Sequence, residues 1–157
     1  MIINASAVVI SRNQGKEEEC LLVQEGQEFE DLYKKWNFPA GRMNSGENIY
    51  DCAKREAKEE TGYTVHLTGL INISQHLKLL GGHDVLTLVF QAKIIGGEKT
   101  VPPDLLDVRW FSFQEIHDMS LKGQLVSRYV LDAINANRRE DIPNIPIDSD
   151  YIKIYSS

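Results

Sequence analysis

The amino-acid sequence predicts an α/β fold in which a mixed β-sheet lies between helices. Segments rich in apolar and β-branched residues, which are typical of strands, occur at residues 5–11, 20–24, 63–73, 85–94 and 108–111. Helical patterns cover residues 49–60, 113–119 and about 121–137. The 157 residues suffice for one domain with a substantial core, and they contain no internal repeat.

The first two predicted strands form a hairpin. The Asn-Gln-Gly sequence at residues 13–15, which lies between them, is typical of a tight turn. Residues 25–35 follow as a polar connection, and residues 36–39 as a short extended segment. Trp36 and Phe38 in that segment are expected to pack in the core, although stacking on a bound base is the alternative role for both.

The helix predicted at residues 49–60 carries clear signals at both ends. Asn48 is a favoured N-cap, and Asp51 three residues later is a capping-box-like partner. Gly62 follows the last turn, where a left-handed glycine often ends a helix. These signals fix the register of the helix, and therefore the face on which each side chain lies.

The inward face of this helix is apolar in its first half and acidic in its second. At 100° per residue, one face carries in order Ile49, Cys52, Ala53, Glu56 and Glu60, with Glu59 at its edge. The opposite face carries Asp51, Lys54 and Lys58. The solvated charges therefore already have a face of their own.

Glutamates on the inward face destabilise the helix, so a functional role is needed to explain them. Glu56 and Glu60 are like charges four residues apart, and they lie near the helix C-terminus, where the dipole favours cations. The alternative interpretation is a solvated helix with Asp51–Arg55 and Arg55–Glu59 pairs. Because buried carboxylates must be paired or must bind a metal, we interpret the inner glutamates as a functional site. Oxygen ligands of this kind suit Mg²⁺ or Mn²⁺ rather than zinc.

The segment at residues 41–63 also fits the pattern G-x5-E-x7-R-E-U-x-E-E-x-G-U, where U is apolar. The defined positions are Gly41, Glu47, Arg55, Glu56, Ala57, Glu59, Glu60, Gly62 and Tyr63. The pattern resembles the signature of the Nudix, or MutT-like, hydrolases, which cleave nucleoside diphosphates linked to another group. The resemblance implies the Nudix α/β/α sandwich over residues 1–138, with residues 139–157 as a C-terminal tail.

The resemblance also implies roles for the motif residues. The metal ligands would be the carbonyl of Gly41 and the carboxylates of Glu56, Glu59 and Glu60. Arg55 would orient the carboxylates, and Glu47 would brace the loop before the helix. One glutamate, or a residue of another loop, would activate the attacking water. The cofactor is therefore expected to be Mg²⁺ or Mn²⁺.

The substrate is indicated less directly. Nudix subfamilies that act on ADP-ribose or dinucleoside polyphosphates carry a proline or a tyrosine shortly after the motif, and residues 74–80 contain neither. The expected substrate is therefore a small molecule, a nucleoside di- or triphosphate or a related derivative. The alternatives are a non-catalytic nucleotide sensor and an enzyme selective for ADP-ribose or dinucleoside polyphosphates.

Several further residues are candidates for substrate contacts, each with a structural alternative. Arg42 is either a phosphate ligand or an exposed loop arginine. His76 is a substrate ligand or, more commonly for a lone histidine, structural. Asp107 either approaches the metal or simply begins a strand. For Glu115 a surface position on a helix is favoured over a role as base, and for residues 81–84 a simple turn is favoured over a loop that closes on the site.

The composition limits the partners and the compartment. A net charge of −6 disfavours a surface for nucleic-acid polymers. The two cysteines, Cys20 and Cys52, are expected to be buried thiols in a reducing, cytoplasmic setting. The N-terminus lacks the basic region of a signal peptide, and no apolar run suits a membrane span. The isoleucine-rich tail at residues 139–157 is expected to pack on its own domain or on a second subunit, so the protein is a monomer or a homodimer.

Overall fold

The structure, a computed structural model, describes residues 1–28 and 30–138. Its strands are β1 (Ile2–Gln14), β2 (Glu17–Glu25), β3 (Trp36–Asn37), β4 (Ala40–Arg42), β5 (Tyr63–Leu80), β6 (His83–Gly97) and β7 (Leu105–Ser112). Its α-helices are α1 (Ile49–Thr61), α2 (Phe113–Leu121) and α3 (Tyr129–Asn137), and one 3₁₀ turn spans Glu30–Leu32. In the described part of the chain, no helix is long and apolar enough to cross a bilayer. The expectation for the tail at residues 139–157 lies outside the described residues.

The seven strands form a mixed sheet with β1 at its centre. The strand order is β3-β2-β1-β6-β5, with β4 paired to β1 and β7 paired to β2. Strand β1 is parallel to β6 and antiparallel to β2 and β4. Because sheet and helices alternate in layers, the predicted α/β/α sandwich is confirmed.

The core lies on both faces of the sheet, because β1 is apolar at consecutive positions. Val8 and Ile10 pack on the side of α1, whereas Ala7 and Val9 pack on the side of α2 and α3. Strands buried on both faces read as continuous apolar runs rather than as alternating ones. As predicted, Trp36 and Phe38 are in the core, on the side of α2 and α3.

Both hairpin turns are shorter than the sequence analysis predicted. Gln14 pairs with Glu17, so the first turn consists of Gly15 and Lys16 rather than residues 13–15. The turn between β5 and β6 consists only of Gly81 and Gly82, and His83 already belongs to β6. The φ angles of the two glycines, 57° and 81°, are those of a tight hairpin turn that glycine favours. The expected simple turn is therefore present.

The helix predicted at about residues 121–137 is wrong in its first half. Helix α2 ends at Leu121, and Gly123 then adopts a φ of 66°, which interrupts helical geometry. The next residues pair with β3 instead: Trp36 N–H donates to the carbonyl of Gln124, and Val126 N–H donates to the carbonyl of Trp36. Helix α3 therefore begins only at Tyr129.

Both cysteines are free and buried, as predicted. Burial raises the pKa of Cys20 to about 12 and also raises the pKa of Cys52. A raised thiol pKa leaves the unreactive protonated form at pH 8. We therefore expect that Ellman's reagent labels neither thiol in the native protein at pH 8 and both in guanidinium chloride. Rapid labelling of either thiol under native conditions would contradict its burial.

Candidate active site

The N-terminus of α1 is anchored by Asn48. Its side-chain oxygen accepts hydrogen bonds from the backbone N–H groups of Tyr50 and Asp51 at 3.1 and 2.9 Å, as a helix cap requires. The partnership with Asp51 differs from a capping box, because Asn48 donates to the Asp51 carboxylate through its side chain, at 2.6 Å. At the other end Gly62 adopts a φ of 80°, the left-handed cap that the sequence predicted.

Helix α1 presents one face to the sheet, as the register predicted. Cys52, Ala53 and Ala57 are fully buried there. Glu56 lies on the same face and is only 9% exposed. The side chain of Glu59, at the edge of the face, is 59% exposed. The structure therefore places one motif glutamate beneath the surface and another at the rim.

Gly41 makes room for the Glu56 carboxylate. A Cβ atom at position 41 would lie 2.5 Å from Oε2 of Glu56 and closer still to Cδ and Oε1. Gly41 does not have a positive φ, so its lack of a side chain matters for space and not for backbone conformation. Strand β4 and helix α1 thus form a cradle in which a carboxylate lies against the backbone.

Arg55 binds three carboxylates, one in the loop before the helix and two in the helix itself. It donates two hydrogen bonds to Glu47, at 2.7 and 3.0 Å, and single bonds to Glu56 at 2.5 Å and to Glu59 at 3.0 Å. Arg55 also donates to the carbonyl of Arg42, at 3.0 Å. A planar guanidinium can serve so many acceptors because its donors form a rigid fork.

Glu47 links this arginine to the loop. Besides the two bonds from Arg55, its carboxylate accepts a hydrogen bond from the Asn44 backbone N–H at 2.9 Å. The hydrogen bonds from Arg55 and from Asn44 lower the pKa of Glu47 to about 2. The Glu47 side chain therefore ties the loop at residues 43–48 to α1. A residue that braces this loop, as expected from the sequence, would make such contacts.

Glu60 occupies a second buried position next to the cradle. Its carboxylate accepts a hydrogen bond from the Ala40 backbone N–H at 2.9 Å. Burial raises the pKa of Glu60 well above its ordinary value, and the nearby charges of Glu25 and Glu56 raise it further. Burial likewise raises the pKa of Glu56, which Arg55 partly offsets. Burial and like charges thus disfavour the ionised forms of Glu56 and Glu60, and a bound cation would favour them.

This set of groups fits a hard divalent cation in charge and in ligand type. The oxygens of Glu56, Glu59, Glu60 and the Gly41 carbonyl are the donors that Mg²⁺ and Mn²⁺ prefer. Among residues 1–28 and 30–138, no three acidic, histidine or cysteine side chains lie close enough together in this structure to hold one metal ion. Glu59 instead contacts Arg55, and Glu60 contacts Ala40. The cradle at Gly41 and the uncompensated charge are the features that favour a cation here.

A pocket of about 410 Å³ opens beside the glutamates. Gly41, Glu56 and Glu60 form part of its wall. Polar groups from β2, β3, β5 and α3 also line it, namely Glu25, Asn37, His76 and Tyr129. A volume of this size suits a small-molecule ligand.

A chain of hydrogen bonds in the pocket wall was not foreseen from the sequence. The Tyr129 hydroxyl donates a short hydrogen bond to Oδ1 of Asn37, and Nδ2 of Asn37 donates to Glu25 at 3.1 Å. Burial raises the pKa of Tyr129, so its hydroxyl keeps the proton that it donates. The amide of Asn37 is therefore held in one orientation. Since the tyrosine and the asparagine are 92 residues apart, no local sequence signal connects them.

Two of the three substrate candidates line the pocket. The Arg42 side chain is 54% exposed and pairs with Glu28 at 3.3 Å. The ring of His76 lies 5.1 Å from the ring of Tyr129, edge to face, and shares a hydrogen bond with Ser74. Burial lowers the pKa of His76, so the ring is neutral at pH 7.

The third candidate, Asp107, lies outside the pocket. It is opposite Gln24 in the β2–β7 ladder and pairs with Arg109 at 2.6 Å. The nearby aspartate that does line the pocket is Asp104, in the loop just before β7. Glu115 forms a capping box with Ser112 at the start of α2, in keeping with the favoured surface role.

Comparison with known proteins places this site in a family. The NUDIX domain model matches residues 2–134. Nudix hydrolase 1 of Caenorhabditis elegans is 31% identical over 145 residues, which are 90% of this chain and 38% of that protein. The human 8-oxo-dGDP phosphatase NUDT18 is 30% identical over 136 residues, covering 80% of this chain and 40% of that protein. The chain thus spans about two fifths of the length of these curated relatives.

Solved structures share the fold. A NUDIX hydrolase from Nitrosomonas europaea superposes with a TM-score of 0.74 at 24% identity, over 87% of this chain and 88% of that one. The MutT protein of Methanosarcina mazei superposes with a TM-score of 0.71 at 22% identity, over 88% and 96% of the two chains. The family model covers nearly all of the described residues, and the motif glutamates, their arginine and the glycine cradle lie together in the structure. The chain therefore belongs to the Nudix family of hydrolases.

Proposed function

We propose that the protein hydrolyses a phosphoanhydride bond in a nucleoside di- or triphosphate, or in a related nucleoside diphosphate derivative, in a metal-dependent reaction. The observation that carries the proposal is the cradle in which Gly41 receives the Glu56 carboxylate, beside a pocket large enough for a nucleotide. Mg²⁺ or Mn²⁺ would be held by Glu56, Glu59, Glu60 and the carbonyl of Gly41. Reducing conditions, as in the cytoplasm, would suit the two free thiols.

The motif residues would hold the divalent cation beside the pyrophosphate of the substrate. When bound, a divalent cation offsets the charge of the pyrophosphate and lowers the pKa of the attacking water. Arg55 holds Glu56 and Glu59 in place, and Glu47 ties the loop between β4 and α1 to the helix. Water would attack phosphorus in line with the leaving group, so that the anhydride P–O bond breaks as the new P–O bond forms, and a motif glutamate or a residue of another loop would accept the proton of the water.

The part of the pocket lined by Glu25, Asn37 and Tyr129 would receive the nucleoside. Because Tyr129 and Glu25 both bind the amide of Asn37, its second N–H and the second oxygen of Glu25 form a fixed pair of donor and acceptor. Such a pair suits the polar edge of a nucleobase, while Leu32, Val85 and Val126 supply apolar walls. The name of one relative, an 8-oxo-dGDP phosphatase, supports including oxidised guanine nucleotides among the candidates.

The test is a substrate panel with Mg²⁺ or Mn²⁺. It contains nucleoside di- and triphosphates with ordinary and oxidised bases, nucleotide sugars, ADP-ribose and dinucleoside polyphosphates, with products separated by ion-exchange chromatography. Glu59→Gln is expected to lower turnover about 100-fold without unfolding, because the rim glutamate loses its charge. Undiminished turnover in this variant would show that Glu59 has no role. Binding without turnover in the wild-type protein would favour the sensor interpretation.

Replacing Tyr129 with phenylalanine tests the proposed binding site for the nucleoside. Loss of the hydroxyl frees the Asn37 amide to rotate, so we expect KM to rise about 10-fold while kcat changes little. The matched control is Tyr50→Phe, on the α1 side of the sheet, where the ring packs against Phe90. The prediction fails if both variants keep the wild-type KM, or if Tyr129→Phe lowers kcat alone.

A further inference from the structure

We infer that Cys52 is a positioning residue that orients the Gly41 carbonyl towards the bound divalent cation; this rests on the proposed function. Cys52 lies outside the positions that define the family pattern, so its role comes from its contacts in this chain. Its Sγ atom donates to the Gly41 carbonyl at 3.7 Å, within the reach of a thiol hydrogen bond. Both the cysteine and its neighbour Ser6 are completely buried.

The direction of this hydrogen bond follows from the other contacts of the sulfur. The Ser6 hydroxyl donates to Sγ at 3.1 Å, and Nη2 of Arg55 donates to it at 3.7 Å. A thiol has one hydrogen. With two donors already pointing at the sulfur, the thiol acts as a donor, and the acceptors beside it are the Gly41 carbonyl and the Glu47 carboxylate.

The strand pairing brings these groups together. Ser6 of β1 and Gly41 of β4 are direct partners in the ladder, and Cys52 of α1 lies over them. The sulfur thus joins both strands to the helix that carries the glutamates. Groups that hydrogen-bond to a metal ligand fix its orientation, and their removal commonly weakens metal binding 10- to 100-fold. We expect the lower end of that range, because the thiol is a weak donor.

The experiment measures Mn²⁺ binding directly, from the electron paramagnetic resonance signal of free Mn²⁺, for the wild-type chain, Cys52→Ala and Cys52→Val. Both substitutions remove the donor, but alanine leaves a cavity and valine fills it. We expect the Kd for Mn²⁺ to rise about 10-fold, and equally, in both variants. Should the alanine variant fail to fold, the valine variant carries the same comparison. Cys20→Ala is the matched control, since it removes a buried thiol from the core on the other face of the sheet.

The outcomes separate this inference from the function on which it rests. Wild-type Kd values in both Cys52 variants, while Glu56→Gln still abolishes binding, would overturn the role of Cys52 and leave the proposed function intact. Unequal Kd values that follow the thermal stability of the variants would also overturn it, because packing would then be the cause. Absence of Mn²⁺ binding by the wild-type chain would overturn both.

Discussion

Replacing Gly41 with alanine is expected to lower kcat/KM by about 10³-fold or more while the protein stays folded. The new methyl group would occupy the space of the Glu56 carboxylate, with Oε2 at 2.5 Å and the other two atoms closer. Glu56 must then move by more than 1 Å, roughly the displacement that costs 100-fold in a positioned site. The backbone that supplies the proposed carbonyl ligand shifts as well, which weakens metal binding further.

The control for this variant is Gly96→Ala. Gly96 lies in β6, has no positive φ, and a Cβ atom there would meet nothing within 4 Å. We expect wild-type activity and a nearly unchanged melting temperature for the control. Circular dichroism and thermal melting establish that Gly41→Ala is folded before its kinetics are compared. Activity within 10-fold of wild type would mean that the Glu56 carboxylate is not held in this cradle during turnover.

The part of the site that the sequence predicted is the part encoded locally. The ends of α1, the inward position of Glu56 and the position of Glu59 at the edge of that face all follow from caps and from a 3.6-residue period within one short segment. The contact of Arg55 with Glu59, which belonged to the solvated-helix alternative, follows from the same helix, whereas the contact of Arg55 with Glu47 was not predicted. Local signals determine these features because the residues that interact are close in the chain.

The features that were missed depend on contacts between distant segments. Residues 121–128 have helical composition, yet their backbone forms hydrogen bonds with the N–H and the carbonyl of Trp36 in β3 instead of a helix. Strand β5 continues to Leu80, beyond its apolar stretch, because the ladder with β6 supports it. Asp104 lies next to Leu105, the residue that pairs with Glu25 of β2, and lines the pocket, whereas Asp107 pairs with Arg109 of its own strand.

Replacing Arg55 with lysine is expected to lower the free energy of unfolding by about 2 kcal/mol, between the values for surface and buried ion pairs. Its side chain is 25% exposed and that of Glu47 is 14% exposed, so solvent screens the pair only in part. A lysine carries one point charge and cannot serve Glu47, Glu56 and Glu59 together. The same loss of orientation is expected to reduce kcat/KM about 10³-fold.

The stability difference between wild type and Arg55→Lys is expected to depend on pH, and its sign follows from Glu47. The folded-state pKa of this carboxyl is about 2, below its ordinary 4.5. A depressed pKa stabilises the fold above pH 4.5, and the stabilisation is lost as pH falls towards 2. Urea unfolding at pH 7, 4 and 2.5 should therefore show the gap between the two proteins shrinking with acid. Arg109→Lys, at a pair with the more exposed Asp107, should change stability by less than about 0.5 kcal/mol at every pH. A gap that stays constant down to pH 2.5 would mean that the bidentate contact with Glu47 does not stabilise the fold.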